Sequence, residues 1–349
     1  MKAVVFPGDR KVDIMDFPDP HPGPGEVVLQ IKASGMCGSD LKYYINPPGT
    51  PTLGLGERKG PIIAGHEPCG VVVEVGEGVP ENQARVGDRV MDHHYHGCGA
   101  CKHCRTGWSQ MCIDGTIVYG ATGHGAHAEY MKVPAHTLVK LPDELSFKTG
   151  AAISCGTGTA YGALKRLDLA GDETIAIFGQ GPVGLSATQL SKAMGARVIA
   201  LDISEERRKL ALDFGADEVI DPTAHNDVVS AIRDLTGGEG AQKSLDCSSN
   251  PDARAAAVRC LRAWGVACFV GEGGQVTLDV SQDILRRQVS IVGSWTFSKN
   301  GQADCAAFVA ERKIDVDALF TDVYSLDQAD EAYKKFVTRT TGKGVFVMD

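Results

Sequence analysis

The sequence lacks any run of about 18 apolar residues, the length that a membrane-spanning helix needs, so we expect no transmembrane segment. It also lacks an excess of positive charge, because 35 Lys and Arg stand against 44 Asp and Glu, for a formal net charge of −9. Contacts to nucleic-acid phosphates need clustered Lys and Arg, so this balance excludes a nucleic acid as the main partner. The N-terminal apolar run is too short for a secretory signal, which predicts a cytoplasmic protein.

The length of the chain and its glycine content indicate its organisation. At about 100 to 200 residues per domain, 349 residues predict two domains. Hydrophobic residues at 43% and charged residues at 23% are typical of globular chains and exclude a disordered or fibrous protein. The 42 glycines are about 12% of the chain, against a usual ~7%, and predict tight turns or close approaches of the backbone to a ligand.

The pattern of predicted secondary structure changes near residue 172. Before about residue 150, short β-rich runs separated by Gly and Pro predict an irregular all-β region. Beyond residue 172, strands alternate with helices, which predicts an α/β domain with a doubly wound parallel sheet. The predicted strands are 27–33, 69–75, 89–91, 174–178, 197–201, 218–220, 244–247, 266–270, 289–292 and 344–348. The predicted helices are one that ends at 194, and 205–214, 228–235, 303–312 and 328–337.

A glycine-rich G-x-G-x-x-G motif directly follows the predicted strand 174–178 and opens a helix, as a dinucleotide-binding turn does. Gly179 permits the tight turn, and Gly181 lets the backbone approach a pyrophosphate. Gly184 allows close packing of the helix, while Pro182 and Val183 begin that helix, whose N-terminus faces the phosphates. The motif predicts the cofactor site.

Asp202 stands 18 residues after the last glycine of this motif, at the end of the next predicted strand. There it accepts hydrogen bonds from the adenosine ribose and repels a 2′-phosphate, which favours NAD over NADP. Arg207 and Arg208 are within reach of such a phosphate, but we interpret them as a solvated helix face.

Eleven cysteines in a chain expected in a reducing compartment need an explanation other than disulfides. Four of them form a C-x2-C-x2-C-x7-C run that predicts a structural zinc site: Cys98, Cys101, Cys104 and Cys112. Polar loop residues between them argue against a core cluster or a disulfide pair, and an iron–sulfur cluster remains an alternative. By contrast, Cys37, His66 and Cys155 lie far apart, and each alone is ambiguous.

The whole chain resembles the zinc-dependent medium-chain alcohol dehydrogenase family. The motifs that carry the resemblance, in the family's order, are Cys37-x-Ser39-Asp40, Gly65-His66-Glu67, the four-cysteine run, Cys155-Gly156-x-x-Thr159 and the glycine turn at 179–184. The resemblance implies a GroES-like catalytic domain over 1–152, completed by 296–349, and an inserted Rossmann NAD-binding domain over 153–295. It places the active site in the cleft between them.

The resemblance also implies the site residues. Cys37, His66 and Cys155 bind a catalytic zinc and leave one position open for water or substrate, so that the chain holds two zinc ions. Glu67 lies beside this zinc or serves as its alternate fourth ligand. The zinc lowers the pKa of an alcohol, and the alcohol carbon gives its hydride to the nicotinamide of NAD.

Three further roles come from the same resemblance. Ser39 matches the hydroxyl that takes the alcohol proton, with an ordinary turn residue as the alternative. Asp40 matches the carboxylate that orients the histidine ligand and fixes its tautomer. Thr159 matches the residue that packs on the nicotinamide.

One position departs from the family. Lys42 stands where relatives often carry a histidine that passes the proton to solvent, so the outer part of the proton path has no assigned residue. His94, His96 and His124 are close in sequence, and we interpret them as surface or loop histidines.

The sequence therefore predicts an NAD-dependent enzyme that interconverts a small secondary alcohol or polyol with its ketone. Cysteine at position 155 resembles the alcohol-dehydrogenase ligand set more than the sorbitol-type set, where an acidic residue stands. The loop 44–59 is expected near the cleft mouth, where it shapes substrate choice. The strand near 289–293 resembles the family's dimerisation strand, which predicts a dimer or tetramer.

Three alternatives stay open. One is a polyol or threonine-type amino-alcohol dehydrogenase within the family. Another is a catalytically inactive zinc-binding protein with a structural or interaction role. The third is a zinc-free quinone or enoyl reductase, which should lack both cysteine sets.

Overall fold

A computed structural model describes residues 1–50, 60–338 and 342–348. Most of the loop 44–59, to which we assigned a role in substrate choice, lies outside the described residues. Among the described residues, no helix is both long and apolar enough to cross a membrane.

Strands and helices are numbered separately along the chain. The strands are β1 (Lys2–Gly8), β2 (Lys11–Asp16), β3 (Glu26–Gly35), β4 (Pro68–Val75), β5 (Arg89–Asp92), β6 (Tyr95–His96), β7 (Ile117–Val118), β8 (Tyr130–Pro134), β9 (Leu138–Lys140), β10 (Thr174–Phe178), β11 (Arg197–Leu201), β12 (Glu218–Ile220), β13 (Ala241–Asp246), β14 (Leu261–Phe269), β15 (Ser290–Gly293), β16 (Phe320–Tyr324) and β17 (Lys343–Val347). The α-helices are α1 (Asp40–Ile45), α2 (Lys102–Arg105), α3 (Phe147–Ile153), α4 (Gly156–Leu167), α5 (Pro182–Ala193), α6 (Glu205–Asp213), α7 (Val228–Leu235), α8 (Pro251–Arg259), α9 (Lys299–Arg312) and α10 (Ala329–Phe336).

The chain divides into two compact units. The first contains Met1–Gly158 together with most of the chain after Phe297, and the second contains Thr159–Phe297. The first boundary lies within α4, a few residues after the predicted boundary at 152, and the second lies just after the predicted boundary at 295.

The first unit is built around a mixed sheet in the order β16-β17-β3-β4-β5-β9, with β8 also pairing with β3. Its pairings are antiparallel except that between β16 and β17. Val27, Leu29 and Ile31 alternate along β3 and are fully buried in the same core cluster. This period of two is what a sheet with one covered face requires. Cys37 follows the end of β3, and His66 precedes the start of β4.

The second unit has one parallel sheet in the order β12-β11-β10-β13-β14-β15. All but the first residue of β10 and of β11 is buried, which is typical of parallel strands covered by helices on both faces. The order of the strands reverses at β10, because β11 lies on one side of it and β13 on the other, and β10 leads into the turn at Gly179. This is the Rossmann arrangement, in which a ligand binds at the carboxyl ends of the strands. The predicted fold class is confirmed.

The predicted strands and helices are all found, with ends shifted by a few residues, but several elements were missed. Helix α8 was not predicted, although Asn250 caps it through hydrogen bonds from two backbone N–H groups and Pro251 occupies its first turn. Strand β16 was not predicted either, because its short alternating sequence lies between two helix patterns. The all-β interpretation of the N-terminal region was incomplete, since α1, α2 and α3 lie within it.

Candidate active site

Four side chains that are distant in sequence converge in the first unit. The donor atoms of Cys37, His66, Glu67 and Cys155 all lie within 4.8 Å of one another. Cys37 lies between β3 and α1, His66 and Glu67 directly precede β4, and Cys155 lies between α3 and α4. The arrangement brings together the three residues that the resemblance assigns to a catalytic zinc.

The geometry of this cluster fits a tetrahedral zinc ion. Two thiolates that bind one zinc at about 2.3 Å lie about 3.8 Å apart. The Sγ atoms of Cys37 and Cys155 are 3.9 Å apart. Two thiolates and one imidazole leave one coordination position for a substrate, which is the donor set of a catalytic rather than a structural zinc site.

The electrostatics of the two thiols also favour a cation. A hydrogen bond from Cys155 lowers the pKa of Cys37 well below its usual value. The same bond, together with burial, raises the pKa of Cys155 well above its usual value. A positive charge between the two sulfur atoms would favour ionisation of the second thiol.

Asp40 orients both the histidine and the first cysteine of the cluster. His66 Nδ1 lies 2.9 Å from Asp40 Oδ1, and the backbone N–H of Cys37 donates to Asp40 Oδ2 at 2.9 Å. Burial opposes ionisation of Asp40, but its interactions with His66 lower the carboxyl pKa to about 2. Because Nδ1 donates to the carboxylate, Nε2 of His66 is the nitrogen that has a lone pair for a metal.

Ser39 lies next to the ligand atoms. Its hydroxyl donates to Cys37 Sγ at 3.3 Å and lies 3.2 Å from His66 Nε2. The hydroxyl is therefore within hydrogen-bond distance of two candidate ligand atoms. Lys42 lies further along the chain, partly buried on α1.

Lys343 is a residue of the cluster that the sequence did not reveal. Its Nζ donates to Glu67 Oε1 at 2.7 Å and to the carbonyl oxygen of Met36 at 3.0 Å, and both charged side chains are buried. Burial raises the pKa of Glu67, and the ammonium group of Lys343 opposes this shift and favours the ionised carboxylate. The one available signal was a lysine at the start of β17, directly before its apolar run.

The interpretation of His94 as a surface residue was wrong. It does lie in a bend, between β5 and β6, but it is only 2% exposed, and its ring centroid is 5.1 Å from that of His66. Its Nδ1–H donates to the carbonyl oxygen of Ser154 at 2.9 Å. His124 is exposed, in agreement with its interpretation as a surface residue, and His96 is half-buried.

The four-cysteine run forms a second cluster in the first unit. The sulfur atoms of Cys98, Cys101, Cys104 and Cys112 lie within 4.8 Å of one another, and those of Cys101 and Cys112 are 3.9 Å apart. Backbone N–H groups of Cys104 and Ile113 lower the pKa of Cys101 to about 6. These distances match a zinc site built from four cysteines, and four protein ligands leave no position for a substrate.

The glycine turn of the second unit has the geometry that its motif predicts. Gly179 has φ +90°, a conformation that L side chains rarely adopt. A Cβ on Gly184 would collide with the carbonyl oxygen of Gly179, so α5 packs against the turn only because residue 184 has no side chain. Pro182 is the first residue of α5 and Val183 follows it.

Asp202 lies at the end of β11, buried beside the glycine turn. Its Oδ2 accepts a hydrogen bond from the Gln180 N–H at 2.6 Å. The interpretation of Arg207 and Arg208 as a solvated helix face was wrong, since their side chains are only 14% and 17% exposed. Arg208 donates to the Asp202 carbonyl oxygen and pairs with Asp221 at 3.2 Å, whereas Arg207 Nη1 lies 4.0 Å from Asp202.

The sequence and the fold match known dehydrogenases along the whole chain. Family models described as "Alcohol dehydrogenase GroES-like domain" and "Zinc-binding dehydrogenase" match residues 23–143 and 182–311. The chain is 36% identical to an uncharacterized zinc-type alcohol dehydrogenase-like protein of Escherichia coli, over 99% of this chain and 98% of that protein. It is 31% identical to a sorbitol dehydrogenase of Bacillus subtilis, over 96% and 93% of the two chains.

A solved structure of an NAD-dependent alcohol dehydrogenase superimposes with a TM-score of 0.87 at 30% identity, covering both chains completely. A GroES-like unit with two groups of side chains that could each hold a metal ion, together with a Rossmann unit, is typical of zinc-type dehydrogenases. The chain belongs to the zinc-dependent medium-chain alcohol dehydrogenase family and is an oxidoreductase.

Proposed function

We propose that this protein is an NAD-dependent dehydrogenase that holds two zinc ions per chain and interconverts a small secondary alcohol or polyol with its ketone. The observation that carries this proposal is the convergence of Cys37, His66 and Cys155 with sulfur atoms 3.9 Å apart and the Ser39 hydroxyl beside them. The similarity to an alcohol dehydrogenase and to a sorbitol dehydrogenase supports the substrate class.

Cys37, His66 and Cys155 would hold the catalytic zinc, and the four cysteines from Cys98 to Cys112 would hold the structural zinc. When bound, the catalytic zinc lowers the pKa of an alcohol and polarises a carbonyl oxygen. Asp40 would orient two of these three ligands, through its bonds to His66 Nδ1 and to the backbone N–H of Cys37.

The proton of the alcohol leaves through Ser39 in this proposal. Its hydroxyl has a rotatable hydrogen and lies within hydrogen-bond distance of the ligand atoms, so it both accepts a proton and gives one up. The turn between Cys37 and α1 fixes its position, because Asp40 anchors that turn at the Cys37 N–H.

The glycine turn of the second unit would hold NAD, which when bound supplies the hydride acceptor. Asp202 presents its carboxylate where the adenosine ribose of a dinucleotide meets a Rossmann sheet, and its charge disfavours a 2′-phosphate. Thr159, buried in α4, is proposed to pack against the nicotinamide.

The protein is further proposed to act in the cytoplasm as a dimer or tetramer. Strand β15 is an edge strand of the parallel sheet, and Ile291 on it and Trp295 just after it are 36% and 45% exposed. An exposed edge strand with apolar side chains is a site for pairing with a second copy. Light scattering of the purified protein tests this, and a monomer at micromolar concentration would contradict it.

The function is tested by following NADH formation with a panel of primary alcohols, secondary alcohols, polyols and amino alcohols. We expect turnover of at least one secondary alcohol or polyol, with a primary alcohol of the same carbon number as the matched comparison. Preference for threonine would shift the assignment to an amino-alcohol dehydrogenase. Full zinc content with no turnover across the panel would favour the inactive zinc-binding alternative.

A further inference from the structure

A chain of buried hydrogen bonds continues from the metal-site histidine into the core of the first unit. Asp40, which accepts from His66, also lies 3.2 Å from the Tyr333 hydroxyl through its second carboxylate oxygen. The same hydroxyl lies 2.7 Å from His127 Nε2, and His127 Nδ1 lies 2.7 Å from Ser34 Oγ. Ser34, His127 and Tyr333 are fully buried.

The direction of these hydrogen bonds follows from the chemistry of the groups. An ionised carboxylate only accepts, so Tyr333 donates its single O–H to Asp40 and accepts a hydrogen bond from His127 Nε2–H. The other nitrogen of His127 is then an acceptor, and Ser34 donates to it. Burial lowers the pKa of His127 to about 4, which is consistent with a neutral ring that has one N–H. Every donor in the chain therefore points toward Asp40.

The packing around Tyr333 and His127 makes these positions rigid. The ring of Phe6 meets that of Tyr333 edge-on, with the centroids 4.6 Å apart. A Cβ on Gly65, which has φ +85°, would collide with the His127 imidazole. Gly65 directly precedes the ligand His66, so His127 contacts the ligand loop as well as Tyr333.

We propose that Tyr333 and His127 are positioning residues of the metal site: they hold Asp40 in the orientation that aims His66 Nε2 at the metal. This inference rests on the proposed function, because it assumes that His66 is a zinc ligand. Neither residue needs to touch the substrate. Partners that orient a ligating histidine typically contribute about 10- to 100-fold to metal affinity or activity, and one hydrogen bond further out we expect a smaller effect.

The variant Tyr333→Phe removes only the hydroxyl and keeps the packed ring. We expect zinc at the Cys37 site to be lost to a chelator about 3- to 10-fold faster than in the wild-type protein. In the cobalt-substituted protein, the absorption bands of this site should shift, because they report the geometry of the ligands. Zinc loss from the four-cysteine cluster should not change, which provides an internal reference.

Tyr44→Phe is the matched control. Tyr44 is buried in the same hydrophobic core as Tyr333, and the two ring centroids are 5.7 Å apart. Its hydroxyl does not belong to the hydrogen-bond chain described above. We expect wild-type zinc retention and a wild-type cobalt spectrum for this variant. Asp40→Asn is the positive reference and should lose zinc faster than Tyr333→Phe.

The outcomes separate this inference from the proposed function. If Tyr333→Phe matches Tyr44→Phe while Asp40→Asn loses zinc faster, the positioning role is overturned and the metal site stands. If the wild-type protein binds no metal at Cys37, His66 and Cys155, the proposed function fails and the positioning role fails with it. His127→Leu, which removes the donor to Tyr333, should change zinc loss and the cobalt spectrum in the same direction, and unchanged values would also contradict the inference.

Discussion

Lys343 Nζ lies 2.7 Å from Glu67 Oε1, and the two side chains form a fully buried ion pair beside the cysteines and histidine of the metal cluster. Two thiolates balance the charge of one zinc ion. The carboxylate of Glu67 would add an uncompensated negative charge to this buried site, and Lys343 neutralises it. With a zinc ion bound as proposed, the pair would keep the site close to neutral.

Replacing Lys343 by Met should destabilise the protein by about 3–5 kcal/mol, because it leaves a buried carboxylate without its partner. The free energy of unfolding in denaturant measures this. The double variant Lys343→Met with Glu67→Gln should recover part of the loss, since the neutral amide does not need a cation. Lys334→Met is the matched control: the Lys334–Asp330 pair is exposed, so about 0–1 kcal/mol is expected. A Lys343→Met variant as stable as that control would contradict the account of the buried pair.

The carboxylate of Asp202 should make the enzyme select NAD. We expect kcat/KM for NAD to exceed that for NADP by at least ten-fold, which corresponds to about 1.4 kcal/mol. Asp202→Ala should narrow the ratio of kcat/KM for NAD to that for NADP, whereas an Asp213→Ala control, which removes an exposed carboxylate at the end of α6, should leave it unchanged. Equal efficiency with both cofactors in the wild-type protein would show that Arg207 outweighs Asp202.

Replacing Cys101 by Ser should remove one zinc ion per chain and lower the melting temperature, because a structural ion contributes directly to folding. Cys305→Ser changes a buried thiol outside both clusters and serves as the control for the loss of a sulfur atom. Unchanged zinc content in Cys101→Ser would mean that the four cysteines do not bind a metal together.

Ser39→Ala separates the proton path from metal binding. Zinc content should stay at the wild-type value, while the rate of alcohol oxidation falls by about 10² to 10⁴ if the hydroxyl carries the proton. The measurement is kcat against pH, between about pH 6 and 10, under conditions in which the chemical step limits the rate. Wild-type turnover across that range would show that the proton leaves by another route and that Ser39 is an ordinary turn residue.

The parts of the site that could be predicted from the sequence are those formed by motifs within one short segment. The spacing of Cys98, Cys101, Cys104 and Cys112 and the glycine turn after β10 each lie within one short segment, so the pattern itself predicts what they form. Cys37 and Cys155 are 118 residues apart, and only resemblance to a family joined them to His66.

The parts that the sequence did not reveal depend on long-range packing. Lys343 and Glu67 are separated by 276 residues, and Tyr333 and Asp40 by 293. No periodicity connects such pairs, because their contact exists only once β17 and α10 pack against the N-terminal sheet and α1. His94 was misjudged for a related reason: a histidine in a polar loop after a strand looks exposed until the loop folds back toward His66.

The most direct test of the catalytic centre is the zinc content of purified Cys155→Ala. We expect two zinc ions per wild-type chain and one in the variant, with alcohol oxidation abolished and NADH binding retained at the glycine turn. Cys305→Ala, the matched change of a buried cysteine, should keep both ions and its activity. A Cys155→Ala protein that still holds two zinc ions and oxidises the alcohol would contradict the claim that Cys37, His66 and Cys155 form the catalytic metal site.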